Sequence, residues 1–310
     1  MSSVVQKSTA AESPLVLLCR KWNNFPSSVA QSRCLPVFFG EHHIGYVRPE
    51  HAKVMSENYP KAFREEPDST RGSTTFSVLS EESLATALER MRTETEIQAV
   101  KGWRNELYAI RSQFHLPTLL LIERSAACLF GMRQYGTTLI GIVHHPQKGK
   151  CVWLQRRAKD KPTWPGQWDV TVSGGLSAFL DIRQRMIQEA EEEAGIPEVL
   201  LKDMKAAGIV SFFHDCPRGM YPSTEFMFEV ELPSSFTPKN MDGEVDEFRL
   251  VSLQELYEAI LDPSFKITAC PMAVDCLIRH GYLDIETEPQ LIEILESIHV
   301  PLDSFYRMKP

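Results

Sequence analysis

The sequence has 310 residues, of which 43% are hydrophobic, and a formal net charge of −8 at pH 7. This length predicts one large domain or two smaller ones, with enough apolar residues for a substantial core. The negative charge argues against a general nucleic-acid or membrane-surface binder, because such proteins need a basic face, so we expect neither partner.

The seven cysteines are dispersed, odd in number and form no C-x-x-C pair. This pattern indicates neither a disulfide framework nor a zinc site. Residues 1–14 lack a basic segment followed by an apolar stretch, so no secretory signal is predicted. No run of 18 apolar residues occurs, and we expect no transmembrane span and a cytoplasmic location.

The first part of the chain is predicted to form a disordered tail over residues 1–14 and an α+β domain over residues 15–115. Apolar periodicity and turn residues carry this prediction. The expected elements are a helix over Leu15–Trp22, a hairpin over Val37–Val47, a helix over Ala52–Arg64, a polar loop over Pro67–Thr75 and helical structure over Glu81–Trp103.

Residues 116–310 are predicted to form a second domain in which strands and helices alternate irregularly. The expected strands are Leu119–Ile122, Ala127–Phe130, Thr137–Val143, Cys151–Arg156, Gly208–His214, Glu225–Leu232 and Phe248–Val251. The expected helices are Leu253–Leu261, Met272–His280 and Pro289–Ile298. Such alternation is typical of an α/β domain with a mixed sheet covered on both faces.

The segment from Gly174 to Ile196, GGLSAFLDIRQRMIQEAEEEAGI, is predicted to be a loop followed by a helix. Ile182 and Met186 belong to an apolar stripe that recurs every four residues, as on one face of a helix. Two glycines at the start permit a tight loop and close approach of the backbone to an anionic ligand. Gly174 and Gly175 are therefore candidates for substrate binding.

Three carboxylates, Glu189, Glu192 and Glu193, lie near the end of this predicted helix, on one face at the edge of the stripe. They repel one another unless a positive charge lies among them. A solvated acidic helix end is the alternative, but acids near a C-terminus oppose the helix dipole. A functional role is the better explanation, and a divalent cation with oxygen ligands, such as Mg²⁺, would relieve the repulsion.

The segment resembles the Nudix box, G-x5-E-x7-R-E-U-x-E-E-x-G-U, where U is aliphatic. Leu180 replaces the first Glu and Gln188 replaces the Arg. The resemblance implies a hydrolase of phosphoric anhydride bonds with a Nudix α/β/α sandwich and a mixed sheet. It also implies that Mg²⁺ or Mn²⁺ is held by Glu189, Glu192 and Glu193, with Glu192 in a catalytic role. The positions that agree with the box are Gly174, Glu189, Ala190, Glu192, Glu193, Gly195 and Ile196.

Four further segments resemble one Nudix subfamily: Ser32–Ala52, Leu154–Gly175, Asp242–Phe248 and Phe265–Leu283. This subfamily includes the Nudix domain fused to fungal thiamine pyrophosphokinase and plant hydrolases of damaged thiamine diphosphate, and its members carry an extra N-terminal domain. The resemblance implies a small-molecule diphosphate as partner, most directly thiamine diphosphate or an oxidised derivative, cleaved to the monophosphate and phosphate.

Two alternatives stay open beside this interpretation. One is a nucleotide or nucleotide-sugar pyrophosphohydrolase that uses the same site. The other is a catalytically weak Nudix-like module that binds diphosphates, which the changes at Leu180 and Gln188 favour. The sequence also leaves the oligomeric state open between monomer and homodimer.

Glu244 and Glu247, in the DGEVDEF segment, are candidates for an additional metal ligand or a general base. The alternative is a turn with solvated acids. Arg185 lies four residues before Glu189 on the same predicted helix face. We therefore predict that Arg185 pairs with Glu189 and compensates for the Arg that Gln188 replaces.

Arg156, Arg157 and Lys161 precede the box and are candidates for binding phosphate oxygens. Only one of the two arginines can face the cleft, because neighbouring strand residues point to opposite sides. A surface basic cluster explains them equally well. Trp164 is a candidate for stacking on a flat cationic ring, as are Trp168 and Phe212, although core packing is expected for at least one of the three.

Overall fold

A computed structural model of the chain describes residues 11–25, 33–68 and 72–306. Of the disordered tail predicted for residues 1–14, residues 1–10 lie outside the described residues. No helix in the described part of the chain is both long and apolar enough to cross a membrane.

The N-terminal part of the chain is built from strands and short helices. Its helices are α1 (Pro14–Trp22), α2 (Pro49–Asn58), α3 (Glu81–Glu94) and α4 (Gln98–Lys101), with a 3₁₀ helix over Arg124–Phe130. Its strands are β1 (Leu35–Phe39), β2 (His42–Val47), β3 (Phe63–Asp68), β4 (Ser73–Val78), β5 (Leu107–Ile110) and β6 (Leu120–Glu123). The first four form a mixed sheet in the order β2-β1-β4-β3, and β5 pairs with β6.

The C-terminal part is a larger mixed sheet with helices on both faces. Its strands are β7 (Gln134–His145), β8 (Gly149–Arg157), β9 (Trp168–Asp169), β10 (Val172–Gly175), β11 (Lys205–Cys216), β12 (Gly219–Glu231) and β13 (Val245–Ser252). Its helices are α5 (Ile182–Ala194), α6 (Glu198–Leu201), α7 (Leu253–Leu261), α8 (Cys270–Arg279), α9 (Leu291–Ile298) and α10 (Asp303–Tyr306), with a 3₁₀ helix over Ile267–Ala269.

The main path of this sheet runs β11-β12-β7-β8-β13, with β10 paired to β7 and β9 to β8. Only the β12–β7 pairing among these is parallel. Helices α1, α7, α8 and α9 share one apolar cluster with the sheet, whereas α5 shares another with residues such as Leu139 and Val143. Adjacent strand residues point to opposite faces of the sheet, so the two apolar clusters lie on opposite faces, and each is covered by helices.

Helix α5 forms where the apolar stripe predicted it. Asp181 caps its start by accepting hydrogen bonds from the backbone N–H groups of Arg183 (2.9 Å) and Gln184 (3.3 Å). Gly195 ends it in the left-handed conformation (φ 59°), which glycine adopts without steric cost. The buried face includes Met186 and fixes the helix against the sheet.

Three predicted elements differ in the structure. The helix expected over Ala52–Arg64 ends at Asn58, and much of the expected loop over Pro67–Thr75 belongs to the β3–β4 hairpin. Five of the six β3 residues are not fully buried, so the sequence there lacks the alternation that indicates a strand. The strand expected over Ala127–Phe130 is 3₁₀ helix, because short apolar runs do not distinguish a strand from a buried helical segment.

The predicted domain bounds stay a prediction. Strands β5 and β6 pair on either side of residue 115, and the apolar cluster of the N-terminal part extends to Met132. Helix α1 packs with the C-terminal part instead, where Leu15 and Trp22 are fully buried. We refer below to residues 33–133 as the N-terminal domain and to residues 134–306, with α1, as the C-terminal domain.

Candidate active site between the two domains

Two of the three predicted metal ligands on α5 face the sheet. Glu189 is 6% exposed and Glu193 is 4% exposed, whereas Glu192 lies on the solvent side. The Glu193 carboxylate accepts hydrogen bonds from Gln155 Nε2 (3.1 Å) and the backbone N–H of Ser173 (3.4 Å). Helix spacing places residues four apart on one face, so the pair at 189 and 193 meets β10 together.

Burial raises the pKa of both inward carboxyl groups. Loss of solvation raises the pKa of Glu189 to about 7, although Arg185 opposes the rise. Loss of solvation and then the charge of Glu189 raise the pKa of Glu193 to about 8. A nearby divalent cation would favour the charged carboxylates and lower both values.

The donor atoms near α5 suit a hard divalent cation. Carboxylate and amide oxygens are its preferred ligands, and the Gln155 side chain bonded to Glu193 has a buried Oε1 with no hydrogen-bond partner among the described residues. In the described part of the chain, the oxygens of Glu189, Glu192 and Glu193 do not all lie within 4.8 Å of one another. Their assignment as metal ligands therefore stays a prediction.

One other group of described residues does bring three ligand atoms within 4.8 Å: Glu229, Cys276 and His280. Glu229 there contacts the Arg279 guanidinium (2.5 Å), and Lys150 Nζ lies 2.8 Å from the His280 ring. These positive groups oppose a bound cation, so this group is better described as an ion-pair network.

Arg185 contacts Glu189, as the helix spacing predicts. Its Nη2 forms an ion pair with Glu189 Oε1, its Nε donates to the backbone oxygen of Gly175 (3.1 Å), and its Nη1 donates to Gln188 Oε1 (3.2 Å). The predicted pairing is thus confirmed. Arg185 connects the acidic helix to the glycine loop.

The N-terminal domain contributes a carboxylate to the same network. Glu106 accepts a hydrogen bond from Ser177 Oγ and pairs with Arg124 Nη1 (2.7 Å), and Arg185 Nη2 lies 4.0 Å from it. The sequence offers no residue that compensates for Leu180, whose side chain is 39% exposed. The structure shows that an acid from the other domain approaches Arg185 from the loop side.

Gly174 and Gly175 separate the acidic helix from a cavity between the two domains. A Cβ atom at Gly174 would overlap the Glu189 carboxylate, and one at Gly175 would overlap the Tyr108 hydroxyl. Both glycines also line the cavity. The absence of side chains therefore lets α5 and the N-terminal domain approach the same strand closely.

The cavity is strongly cationic. Among the described residues that line it, five carry positive side chains and one, Glu225, carries a carboxylate. Asp169, which is fully buried, balances two of the cations through contacts with Lys266 (2.6 Å) and Arg157 (3.5 Å). The five cations are Arg104, Arg124, Arg157, Arg218 and Lys266.

Four predicted substrate-binding residues line this cavity: Arg157, Trp164, Gly174 and Gly175. Arg156 is directed elsewhere, since its Nε donates to the backbone oxygen of Gly166 (3.1 Å). This arrangement agrees with the expectation that only one of the two arginines faces the cleft.

Lys161, Glu244 and Glu247 are not among the residues that line the cavity. Lys161 forms an ion pair with Glu244. Burial alone would raise the pKa of Glu244, but the contact with Lys161 holds that pKa below its ordinary value. Glu247 pairs with Arg249 (3.1 Å), and its role as a base stays a prediction. The other two aromatic candidates, Phe212 and Trp168, both belong to the core, and Phe212 also lies at the cavity wall.

Sequence reasoning missed several charged residues that line the cavity or contact its lining. Asp169 and Lys266 lie within the segments that carry the subfamily resemblance, so they were within reach of that signal. Glu225 lies in β12, and burial raises its pKa to about 7. Arg104 and Arg218 lie outside any motif, and their distance in sequence from the box left no local signal.

Residues 137–269 match the family description "NUDIX domain", and residues 15–134 match DUF4743, a domain of unknown function. The C-terminal domain therefore contains a Nudix domain. The predicted fold class, a Nudix α/β/α sandwich with a mixed sheet after a small α+β domain, is confirmed.

The uncharacterized protein YJR142W of Saccharomyces cerevisiae is 34% identical over 223 residues, which cover 68% of this chain and 65% of that protein. Nudix hydrolase 24, chloroplastic, of Arabidopsis thaliana is 36% identical over 190 residues, 61% of this chain and 52% of that protein. The chain thus spans less than two thirds of the length of either relative. The Nudix domain of Shewanella oneidensis NrtR, solved with ADP-ribose, aligns with 49% of this chain and 90% of its own at 14% identity and a TM-score of 0.39.

Proposed function

We propose that this chain, whose residues 137–269 form a Nudix domain, is a metal-dependent hydrolase that cleaves the diphosphate of a small molecule to the monophosphate and phosphate. One observation carries the proposal: a cationic cavity lies across Gly174 and Gly175 from a pair of buried carboxylates. A diphosphate is negatively charged and would neutralise the positive charge of the cavity. The cytoplasmic location expected from the sequence belongs to the same proposal.

The acidic and the basic residues of the site are proposed to have different roles. Glu189, Glu192 and Glu193 are proposed to hold Mg²⁺ or Mn²⁺, which when bound supplies positive charge to phosphoryl oxygens and lowers the pKa of a water molecule. Arg157 and Lys266 are each kept in place by Asp169 at the cavity wall, where they neutralise phosphate oxygens.

Glu225 is the best-placed group to accept a proton from the attacking water. It lines the cavity, and burial raises its pKa to about 7, close to the value that suits a base at neutral pH. Glu244 and Glu247, the bases proposed from the sequence, are held by Lys161 and Arg249 instead. We therefore rank Glu225 before them.

We propose thiamine diphosphate or an oxidised derivative as the substrate. The subfamily resemblance supports this choice, and so does the aromatic side of the cavity. Trp164 is half-buried with a left-handed backbone (φ 51°), a conformation that costs free energy for a non-glycine residue and often marks a functional position. Its indole provides a flat surface for a thiazolium or its oxidised form.

The test is phosphate release from a panel of diphosphates with Mg²⁺ or Mn²⁺. The panel contains native, oxidised and oxygen-substituted thiamine diphosphate and ADP-ribose. We expect turnover of a thiamine-type diphosphate by the wild type and its loss in Glu192→Gln, while Glu191→Gln, a neighbouring exposed acid, serves as the matched control. Turnover of ADP-ribose alone would identify a nucleotide-sugar pyrophosphohydrolase instead.

A diphosphate-binding module is the second candidate. It is favoured by the pairing of the Glu189 carboxylate with Arg185 and of Glu192 with Gln188 Nε2 (2.9 Å), which engages both acids without a metal ion. Tight ligand binding by the wild type, with no turnover above that of Glu192→Gln, would support the module and exclude the hydrolase.

A further inference from the structure

Among the residues that the structure describes, two cations of the cavity, one from each domain, form no ion pair with a carboxylate. Arg104 lies in the N-terminal domain, and Arg218 lies in the turn between β11 and β12. Within the residues that the structure describes, no carboxylate oxygen lies within 4.0 Å of either guanidinium. The other three cations differ, since Arg124 pairs with Glu106 and both Arg157 and Lys266 contact Asp169.

The fold holds Arg218 against the N-terminal domain. Its Nη2 lies 3.5 Å from the backbone oxygen of Ala99, and a Cβ atom at Gly102 would overlap the guanidinium. Gly102 therefore provides the space that this side chain occupies. Arg104 follows two residues later, so the same loop positions both guanidinium groups at the cavity.

Positive charge accumulates around Arg104. Burial first, and then the charge of Arg124, lower the pKa of its guanidinium. The charge of Glu244 opposes this effect, whereas Arg218 and Arg157 act in the same direction as Arg124. Arginine nevertheless stays protonated at any physiological pH, so the repulsion persists until an anion binds. Guanidinium groups bind phosphate oxygens through two parallel hydrogen bonds, which makes a phosphoryl group a suitable ligand.

We propose that Arg104 and Arg218 together bind a phosphoryl group of the substrate, so that the N-terminal domain forms part of the substrate site. The identity of the ligand as a diphosphate rests on the function proposed above, whereas the anion site rests on the two unpaired guanidinium groups. The domain of unknown function thereby acquires a role, since it supplies a specificity-determining residue and holds the second one in place.

The experiment measures binding of inorganic pyrophosphate to the full chain by calorimetry, without divalent cations. The proteins are the wild type, Arg104→Gln, Arg218→Gln and Arg64→Gln, a matched control that removes an exposed arginine from the same domain. We expect each cavity variant to bind pyrophosphate at least about tenfold more weakly, because charge-assisted hydrogen bonds are lost. Arg64→Gln should bind within about twofold of the wild type.

Arg104→Lys separates charge from geometry, because lysine keeps the charge but lacks the planar fork. It should bind pyrophosphate with intermediate affinity and keep the fold, which thermal melting checks for every variant. Unchanged affinity in Arg104→Gln and Arg218→Gln would overturn the proposal, as would a wild type that binds no pyrophosphate.

The two proposals fail separately. If the diphosphate panel shows turnover whose KM does not change in Arg104→Gln, the hydrolase stands and the anion site is wrong. If no diphosphate is hydrolysed but pyrophosphate binding depends on Arg104 and Arg218, the anion site stands and the hydrolase is wrong.

Discussion

The two sides of the glycine loop differ in charge and in origin. Behind Gly174, helix α5 holds the buried carboxylates of Glu189 and Glu193. The cavity on the other side carries cations that include Arg104 and Arg218. The acids come from one helical turn of the chain, whereas the cations come from positions far apart in the sequence.

Under the proposed function, the two regions bind ligands of opposite charge. Burial raises the pKa values of the two carboxyl groups, which a bound cation would lower, and among the described residues Arg104 and Arg218 form no ion pair with a carboxylate. Arg185 and Glu106 lie between the two regions and contact both α5 and the N-terminal domain. The following predictions test whether the two regions act separately or together.

The largest effect is expected on the acidic side. Glu193→Gln removes a buried carboxyl group that is proposed to hold the metal ion, so kcat with Mg²⁺ should fall by more than about 100-fold. Calorimetric titration with Mg²⁺ should show weaker binding, while Glu191→Gln on the exposed face keeps both values. If Glu193→Gln keeps wild-type turnover, the acidic region is not the metal site.

An intermediate effect is expected at the connection between the regions. Arg185→Ala removes the contacts to Glu189 and to the backbone oxygen of Gly175, and we expect turnover and Mg²⁺ affinity to fall by about 10–100-fold. Arg185→Lys should restore part of the loss. Gln184→Ala, an exposed neighbour, controls for changes in the helix itself. Unaltered Mg²⁺ affinity in Arg185→Ala would show that the regions are independent.

The smallest effect concerns the one carboxylate of the cationic cavity. Burial raises the pKa of Glu225 from its ordinary 4.5 to about 7, so the folded state binds this proton more tightly than the unfolded state. The free energy of unfolding contributed by this group is therefore lost as pH rises from about 4.5 through about 7.

Glu225→Gln should remove that dependence. The melting temperature of Glu225→Gln minus that of the wild type should increase by roughly 2–4 °C between pH 5 and pH 8. This change corresponds to about 1 kcal/mol in the free energy of unfolding after solvent screening. The exposed Glu231 at the end of the same strand provides the control Glu231→Gln. A pH-independent difference in melting temperature would contradict a raised pKa at Glu225.

Local patterns predicted the elements whose signals are contained within a few turns. Helix α5, its cap at Gly195 and the Arg185–Glu189 pair all follow from spacing along one helix. The β3–β4 hairpin was not predicted, because the residues of β3 are mainly exposed and polar. The buried segment over residues 127–130 was misassigned because apolar content alone fits a strand and a 3₁₀ helix equally.

The sequence by itself determined the acidic helix, the glycine loop before it and the class of fold, because helix and strand periodicities are recorded in neighbouring residues. Only the tertiary structure decided which charges meet. Arg104, Arg157 and Arg218 approach one cavity because the two domains pack against each other, and Asp169 neutralises Arg157 but neither of the others. The charge balance of a side chain depends on its neighbours in space, and residues over a hundred positions apart become neighbours only when the chain folds.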